Sequence, residues 1–510
     1  MTLTLKLTGR DLTLHQVAEF LADSCNVTLD DSARAPMQAS VDAVHRAANA
    51  DSPSYGINTG FGAFANRRIS ADQVKDLQYN LVRSHAAGVG DPFPADIVRL
   101  IMLLKANSLA TGISGIRPEV VDTLLALLNH DVLPVIPCQG SVGACGDLAP
   151  LAHLTLALIG EGEAVHGTKR VEGIAILAAA GREPVSLHAK EGLALLNGTQ
   201  ASAALAVIGL LRAERLLRSA VVIGALSVEA SAGSFAPFDD RIQKARRLPG
   251  QIRIAELFRK LLTSSTINAD HTDCDRVQDP YSLRCMPQVF GSVLSTLRHG
   301  AEVLSVECNA VSDNPLIFDD EVISGGNFHA ESVAMIADFI GIAVAELANM
   351  SERRIDLFQR GVNPVLNMFL TNEPGIESGY MIAHVTAAAL ASENKTLVHP
   401  ASADTVPTSA GQEDHVSMAP WAGRKLGMIL DNTTRVLAIE LLVATHAIDI
   451  QAPLRTTAEL QAVHDAVRER VSLRLKDRRL DHEIETLNRF IEEGSLLSFL
   501  ADTGSLLPAN

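Results

Sequence analysis

The sequence has few aromatic residues, no paired cysteines and no excess of basic charge. Aromatic side chains make up 4% of the 510 residues while 47% are hydrophobic, so the apolar content is mainly Ala, Leu, Val and Ile. This mixture favours long, closely packed helices. A formal charge of -16 argues against a nucleic-acid partner, which normally needs a concentrated basic surface. We therefore expect a small-molecule ligand.

The cysteines carry no C-x-x-C pair and stand at positions 25, 138, 145, 274, 285 and 308. They fit a reducing compartment and supply no zinc signature. The N-terminal segment MTLTLKLTGRDLTLHQ lacks the apolar core of a secretory signal. Charged residues interrupt the most apolar region, 201–230, and exclude it as a membrane span. We expect a cytoplasmic protein with no membrane partner.

The chain length predicts more than one structural unit, because 510 residues far exceed the ~150 residues of a typical domain. Residues 1–180 mix short elements with glycine-rich turns, and residues 181–510 carry long stretches with helical spacing. We predict a mainly α protein in which an N-terminal globular region precedes a long-helix bundle. The helical stretches are 189–231, 288–311, 331–360, 379–399 and 419–447. Several are apolar around much of their circumference, so helices of the same chain or of neighbouring subunits must cover them.

The segment GSVGACGDLAP, residues 140–150, places a cysteine in a glycine-rich turn. One interpretation is a loop that caps a helix beginning near Leu148, with Asp147 as the N-cap residue. Phosphate binding is a second, although the segment matches neither G-x-x-x-x-G-K-[ST] nor G-x-G-x-x-G. In a third, Cys145 is a nucleophile activated by His153 or another histidine.

A fourth interpretation makes the turn itself the reactant. The Gly146 nitrogen can close a five-membered ring onto the Ala144 carbonyl, because Gly has no Cβ and Ala has only a methyl group to obstruct the approach. Dehydration gives an imidazolone, and loss of the Cys145 side-chain substituent leaves an exocyclic methylidene. This electron-poor carbon is an electrophile that no ordinary side chain offers.

Seven motifs, counting this turn, occur along nearly the whole chain in an order that resembles the aromatic amino acid ammonia-lyase family. The other six are SYGINTGFG (54–62), NGTQ (197–200), QDPYSLRC (278–285), NAVSDNPL (309–316), SGGNFH (324–329) and QEDHVSM (412–418). The resemblance implies an ammonia-lyase/fumarase-like helical bundle and a methylidene-imidazolone group made from Ala144, Cys145 and Gly146, with no external cofactor. It also implies a homotetramer with active sites shared between subunits.

Cys145 departs from the family pattern, which is Ala-Ser-Gly at this turn. Ring closure uses backbone atoms and does not depend on the side chain, but elimination would release hydrogen sulphide in place of water. A thiol with a pKa of ~8.5 departs more readily than a hydroxyl. We expect the ring to form from Cys145.

In QDPYSLR, Gln278, Tyr281 and Arg284 are spaced i, i+3, i+6, which would align them on one face of a helix. A solvated polar turn is the alternative. By resemblance, Arg284 takes the substrate carboxylate in a bidentate grip, Gln278 adds a hydrogen bond, and Tyr281 or Tyr55 is the base that removes the β-proton. Tyr281 matches the residue usually assigned in the family, and the choice stays open.

Two further residues have both a structural and a functional interpretation. Asn197 can end a helix, with Gly198 as the left-handed residue that follows. By resemblance, Asn197 hydrogen-bonds the prosthetic carbonyl or the substrate. Phe328 would ordinarily be a core residue, whereas the resemblance places it against the prosthetic group.

The pair Ser84-His85 resembles family members that act on histidine, and Glu413 matches their acidic partner of the imidazole ring. A pocket with such groups would reject phenylalanine by leaving polar groups unpaired. The resemblance therefore implies conversion of L-histidine to trans-urocanate and ammonia. The run Glu413-Asp414-His415 lacks H-E-x-x-H spacing, and nothing else in the sequence supplies ligands, so we predict no metal.

Three rival functions remain. An ammonia-lyase or a 2,3-aminomutase would use the same electrophile on another aromatic amino acid, and the aminomutase would return ammonia to the β-carbon. A cysteine hydrolase or transferase would use Cys145 as a nucleophile. An inactive scaffold would keep the fold with an uncyclised turn.

Overall fold

The N-terminal part of the chain alternates short helices with short strands. The computed structural model describes residues 3–23, 25–64, 66–70, 72–270, 276–500 and 504–508. The helices up to residue 180 are α1 (Leu14–Ala22), α2 (Asp31–Ala48), α3 (Val74–His85), α4 (Ala95–Ala110), α5 (Pro118–Asn129), α6 (Leu148–Leu158) and α7 (Ala175–Ala179). The strands are β1 (Leu3–Leu7), β2 (Cys25–Leu29), β3 (Val89–Pro92), β4 (Val132–Pro134), β5 (Pro137–Gln139), β6 (Glu163–His166) and β7 (Lys169–Glu172). Strands β1 and β2 pair in parallel, β3 pairs antiparallel with β5, and β4, β6 and β7 form an antiparallel sheet.

Local sequence sets the start of several helices. Helix α1 begins after Thr13, whose hydroxyl accepts the N–H of Gln16 while the Gln16 side chain accepts the N–H of Thr13. This reciprocal capping satisfies two backbone donors at the helix start. Asp30 caps α2 in a simpler way, through the N–H of Ser32.

The rest of the chain is dominated by long helices. They are α8 (Glu191–Leu196), α9 (Gln200–Ala230), α10 (Asp240–Arg246), α11 (Pro249–Leu261), α12 (Thr266–Asp270), α13 (Tyr281–Arg284), α14 (Met286–Glu307), α15 (Glu331–Gln359), α16 (Met381–Leu397), α17 (Ala419–Ile450), α18 (Ala458–Arg470) and α19 (Asp481–Glu492), with a hairpin of β8 (Leu316–Phe318) and β9 (Glu321–Ile323). The five predicted helical stretches are confirmed, with one correction. The stretch 189–231 is two helices, because the chain is extended at Asn197 and turns at Gly198.

Helices α9, α15 and α17 run parallel to one another and form the centre of the bundle. Arg212 and Ser227 of α9 contact Asp431 and Glu440 of α17, so residue numbers rise together along the two helices. Arg354 of α15 also binds Glu440, at 2.5 Å, and both side chains are fully buried. Removal of one partner would leave the other charge buried and uncompensated, which costs several kcal/mol, roughly 3–5.

By length and composition alone, helix α15 could cross a membrane. In this fold 67% of its most apolar window is buried, and it packs against α9, α14, α16 and α17. It is a core helix of the bundle.

Buried side chains of both chain regions form one continuous cluster, and the division at residue 180 stays a prediction. Five cysteines are free thiols, and Cys274 lies outside the described residues.

Candidate active site

The glycine-rich turn lies between β5, which ends at Gln139, and α6, which begins at Leu148 as predicted. Gly146 has a positive φ of 73°, and a Cβ built on it would lie 2.1 Å from the carbonyl oxygen of Gly198. Only glycine fits so close an approach. The N–H of Asp147 donates to the same carbonyl oxygen at 2.7 Å. The turn is therefore clamped to the segment that links α8 and α9.

Asp147 occupies the N-cap position of α6, but its carboxylate does not cap that helix. Its oxygens instead accept hydrogen bonds from the backbone N–H and the hydroxyl of Ser202, both at 2.7 Å. Ser202 lies in the first turn of α9, so the carboxylate satisfies a free donor of the neighbouring helix. The prediction that Asp147 stands at the N-cap position of α6 is confirmed, but its carboxylate caps α9 in place of α6. Burial raises the pKa of Asp147 to about 6.

Cys145 faces a carboxylate and not a histidine. Its Sγ donates to Oε1 of Glu413 at 3.1 Å. Burial and this hydrogen bond raise the pKa of the thiol to about 12. His153 accepts the N–H of Gly88 through Nε2 at 3.2 Å, and no hydrogen bond within the described residues joins it to Cys145. A thiol with so high a pKa that donates to a carboxylate is a poor nucleophile, so these contacts disfavour the cysteine-nucleophile interpretation.

Glu413 is held from its other side by Thr408, whose hydroxyl donates to Oε2 at 2.5 Å. Burial acts to raise the pKa of Glu413, but hydrogen bonds from Thr408 and Cys145 and the nearby His85 bring it below its ordinary value. His85 Nδ1 lies 2.8 Å from the carbonyl oxygen of Leu81. Because a carbonyl oxygen only accepts hydrogen bonds, that contact places a proton on Nδ1 of His85.

Tyr55 lies near the same carboxylate. Burial raises the pKa of its phenol, the N–H of Gly62 lowers it, and Cys145 and Glu413 raise it further. The hydrogen bond from Gly62 to the Tyr55 hydroxyl measures 3.4 Å. The structure therefore brings together Tyr55, His85, Cys145 and Glu413, which are far apart in the sequence.

Asn197 ends α8, as predicted, and Gly198 follows with a φ of 128°. The Asn197 amide donates to the carbonyl of Asn314 at 2.7 Å, while its Oδ1 is buried without a partner. Lys105 Nζ donates to the Asn197 carbonyl at 2.5 Å, and burial lowers the pKa of Lys105 to about 7. Sequence reasoning missed Lys105. Its signal was a single lysine within the apolar run IMLLKANSLA, residues 101–110, because a buried amine requires a polar partner.

Phe328 is half-buried in the loop before α15 and is not among the buried core residues. The adjacent His329 lies with Nε2 3.3 Å from the carbonyl oxygen of His415. The loop that carries Phe328 therefore meets the loop that carries Glu413.

The second group of predicted residues is Gln278, Tyr281 and Arg284. Arg284 Nη2 donates to Gln278 Oε1 at 3.0 Å, and its guanidinium carbon lies 4.6 Å from the centroid of the Tyr281 ring. Only Tyr281–Arg284 is helical, so the one-face prediction is wrong for Gln278, but the three side chains do come together. Tyr281 is 70% exposed.

The two groups lie at opposite ends of α9. Asp147 binds Ser202 in the first turn of this helix, whereas Asp279 accepts the N–H of Ser234 at 2.7 Å just beyond its last turn. The helix has 31 residues, which span about 45 Å at about 1.5 Å per residue. Within one chain, Tyr281 and Arg284 cannot reach Cys145.

Comparison with known proteins identifies the family of the chain. Residues 12–469 match the sequence profile described as Aromatic amino acid lyase. The chain belongs to the aromatic amino acid lyase family. It is 54% identical to the histidine ammonia-lyase of Burkholderia lata over 468 residues, which cover 91% of this chain and 92% of that one. It is 53% identical to the histidine ammonia-lyase of Burkholderia ambifaria over 489 residues, 96% of each chain.

Solved structures of the aromatic amino acid lyase family share the fold. The histidine ammonia-lyase of Trypanosoma cruzi superposes with a TM-score of 0.89 at 38% identity and covers 99% of this chain and 96% of its own. A tyrosine aminomutase from Streptomyces globisporus superposes with a TM-score of 0.93 at 34% identity. The superposition covers 99% of this chain and 100% of the aminomutase. These neighbours confirm the predicted helical lyase fold, and family membership makes the chain a carbon-nitrogen lyase.

Proposed function

We propose that the chain eliminates ammonia from L-histidine to give trans-urocanate, using a methylidene-imidazolone group formed from Ala144, Cys145 and Gly146. The observation that carries this proposal is the contact of 3.1 Å between the Cys145 thiol of the turn and the carboxylate of Glu413. Relatives at 53% and 54% identity that are named histidine ammonia-lyase support the choice of substrate. We place the enzyme in the cytoplasm.

The residues of the turn fit the group. Gly146 is held at positive φ with no room for a Cβ, and Ala144 presents only a buried methyl group. In ring formation the Gly146 nitrogen bonds to the Ala144 carbonyl carbon, and that oxygen leaves as water with the N–H protons of Cys145 and Gly146. Cys145 then loses its α-proton and its sulfur together as hydrogen sulphide. The mature group supplies an electron-poor carbon that needs no external cofactor.

Loss of sulfur from Cys145 removes a hydrogen-bond donor from Glu413. In the open chain the thiol occupies Oε1 of this carboxylate, and after its departure Oε1 can accept the imidazole N–H of the substrate. Phenylalanine would leave the same partly buried oxygen without a donor, which costs at most about 1–3 kcal/mol. Asn197 Oδ1, also buried and without a partner, is available to a donor of the substrate.

We further propose a homotetramer whose active sites combine residues of different subunits. The separation of about 45 Å along α9 supports this, because Arg284 and Gln278 can bind the substrate carboxylate beside Cys145 only from another chain. Helix α15 also exposes Met335, Phe339 and Ile342, each to 40% or 42%, on one face at spacing i, i+4, i+7. An exposed apolar helical face of this kind needs a second copy to cover it.

We assign the base that removes the β-proton to Tyr281. Tyr55 is the weaker candidate, because burial and the neighbouring Glu413 raise the pKa of its phenol and oppose loss of its proton. Tyr281 contacts Arg284, the residue that we assign to the substrate carboxylate, and this contact places its phenol beside the substrate.

Intact-protein mass and a urocanate assay on the same sample test the function. We expect a chain lighter than its sequence by one water plus one hydrogen sulphide, together with urocanate and ammonia from L-histidine. A Cys145→Ala variant is the control and should show neither. A β-amino acid product would replace the proposal by an aminomutase, and an unprocessed mass without turnover would replace it by an inactive scaffold.

A further inference from the structure

A cluster of two histidines and a carboxylate lies outside the residues assigned to catalysis. His329, Glu331 and His415 each offer a ligand atom, and the three atoms lie within 4.8 Å of one another. His329 and Glu331 flank the start of α15, whereas His415 belongs to the loop that carries Glu413. The sequence predicted no metal because the run Glu413-Asp414-His415 lacks H-E-x-x-H spacing and no other segment supplied ligands. The fold supplies two.

The geometry points to a site for a divalent cation of borderline character, such as Zn²⁺. His415 Nδ1 and His329 Nε2 are 3.5 Å apart. His329 Nε2 also lies 3.3 Å from the His415 carbonyl oxygen, so a cation would take the place of the ring proton that this contact requires. Two nitrogens bound tetrahedrally to one zinc ion at ~2.0–2.1 Å must be separated by ~3.3–3.4 Å, so the observed pair is within about 0.2 Å of this spacing. The set of two histidines and one carboxylate is a known zinc ligand set with one open position.

Glu331 provides an independent observation. Its Oε2 is buried and has no hydrogen-bond partner, although a buried carboxylate oxygen normally has one. A cation between Glu331 and the two histidines would supply the missing partner. His415 is exposed, so solvent can reach the site and fill the remaining coordination position.

A cation here would hold two segments together. One is the start of α15, next to Phe328, and the other is the loop that ends at Met418, where α17 begins. Glu413 stands two residues before His415, so the cation would fix the position of the carboxylate assigned to the substrate imidazole. Its role is to position Glu413, and it takes no part in the chemical step.

Cobalt binding tests the site without reference to turnover. The full-length protein, freed of metal with a chelator and dialysed, is titrated with Co²⁺ and followed by the visible d–d bands of tetrahedral cobalt. We expect one Co²⁺ per chain, displaced by Zn²⁺. Affinity should fall at least ~10-fold in Glu331→Gln and in His415→Ala, since each removes one of three ligands. The matched control is His299→Ala, an exposed histidine on α14, which should bind as the wild type does.

Thermal melting gives a second measurement that keeps the test valid if a variant folds poorly. Zn²⁺ should raise the Tm of the wild type and of His299→Ala in a concentration-dependent manner, and should not raise that of His415→Ala. Absence of tetrahedral bands, equal affinity in His415→Ala, or a sulfur-to-cobalt charge-transfer band that assigns the ion to a cysteine would each overturn the proposal. None of these outcomes depends on whether the chain acts on L-histidine.

Discussion

The Sγ of Cys145 and the Oε1 of Glu413 lie 3.1 Å apart although 268 positions separate the two residues in the sequence. The contact joins the reactive turn to the loop at 405–418, and the same loop is held to the turn by the hydrogen bond from Ser417 to the Gly143 carbonyl. In the proposed function the carboxylate contacts the side chain that leaves during maturation, so maturation and substrate recognition would use the same space.

Replacement of Glu413 by Gln should separate recognition from maturation. The variant keeps the shape of the side chain but loses the charge, so kcat/KM for L-histidine should fall by about 10- to 100-fold, the range for a lost charged hydrogen bond. Intact mass should still show loss of water and hydrogen sulphide. Steady-state kinetics measures the fall in kcat/KM, and intact mass on the same preparation measures maturation. The control is Glu493→Gln, at an exposed residue, which should match the wild type in both measurements. Unchanged kcat/KM would remove Glu413 from the substrate pocket.

A methyl group on Gly146 should block ring formation. In Gly146→Ala the new Cβ would meet the Gly198 carbonyl oxygen at 2.1 Å, so the turn cannot keep its conformation. Gly181→Ala is a matched control, because Gly181 also has a positive φ, 65°, but has open space around its Cβ position. The control should lose about 1 kcal/mol of stability and still mature. We expect an unprocessed mass for Gly146→Ala only, and full processing of that variant would contradict the proposed cyclisation geometry.

Mixed oligomers should recover activity that neither parent has. Cys145→Ala and Arg284→Ala carry their lesions at opposite ends of α9, and each alone should be nearly inactive. If a site takes Cys145 from one chain and Arg284 from another, random mixing leaves about one site in four intact, so co-expression should restore about a quarter of wild-type turnover. Sites contained within single chains would give no recovery, because every chain carries one lesion.

His446 should make the fold sensitive to mild acid. It is buried beside Tyr380, with ring centroids 5.3 Å apart, and burial together with Arg468 lowers its pKa to about 4. The unfolded chain, with a pKa near ~6.5, then binds more protons between about pH 4 and 6.5, so stability is full above this window and is lost as pH falls through it.

Substitution of His446 by Phe or Gln should remove this dependence. From about pH 7.5 to pH 5 the contribution of His446 amounts to about 2 kcal/mol per chain, so the wild type should lose more Tm over this interval than either variant. Exposed His299→Phe should follow the wild type. An equal loss of Tm between these two pH values in the wild type and in all three variants would show that His446 does not titrate on unfolding.

The helices of the bundle could be predicted from sequence because their apolar spacing repeats over many turns. The start of α6 and the end of α8 could be predicted because Asp147 and Asn197 are typical terminal residues. The motifs also identified most of the side chains that meet at the turn. Local signals were sufficient for these features.

Partnerships between distant segments could not be predicted. Asp147 caps α9 and not its own helix, and Lys105 holds the Asn197 carbonyl 92 positions away. The structure also disfavours the interpretation in which His153 activates Cys145, because His153 accepts the N–H of Gly88. Each of these contacts depends on how helices pack, which spacing within one segment does not encode. The distance between the Cys145 and Arg284 groups likewise follows only from the length and placement of α9.

That same helix implies an order of events during biogenesis. The proposed cyclisation uses adjacent residues of one chain, so a newly folded monomer can already carry the prosthetic group. With the proposed active site shared between subunits, turnover requires association of the chains, and specific activity should decline when dilution dissociates the oligomer even though each chain keeps its prosthetic group.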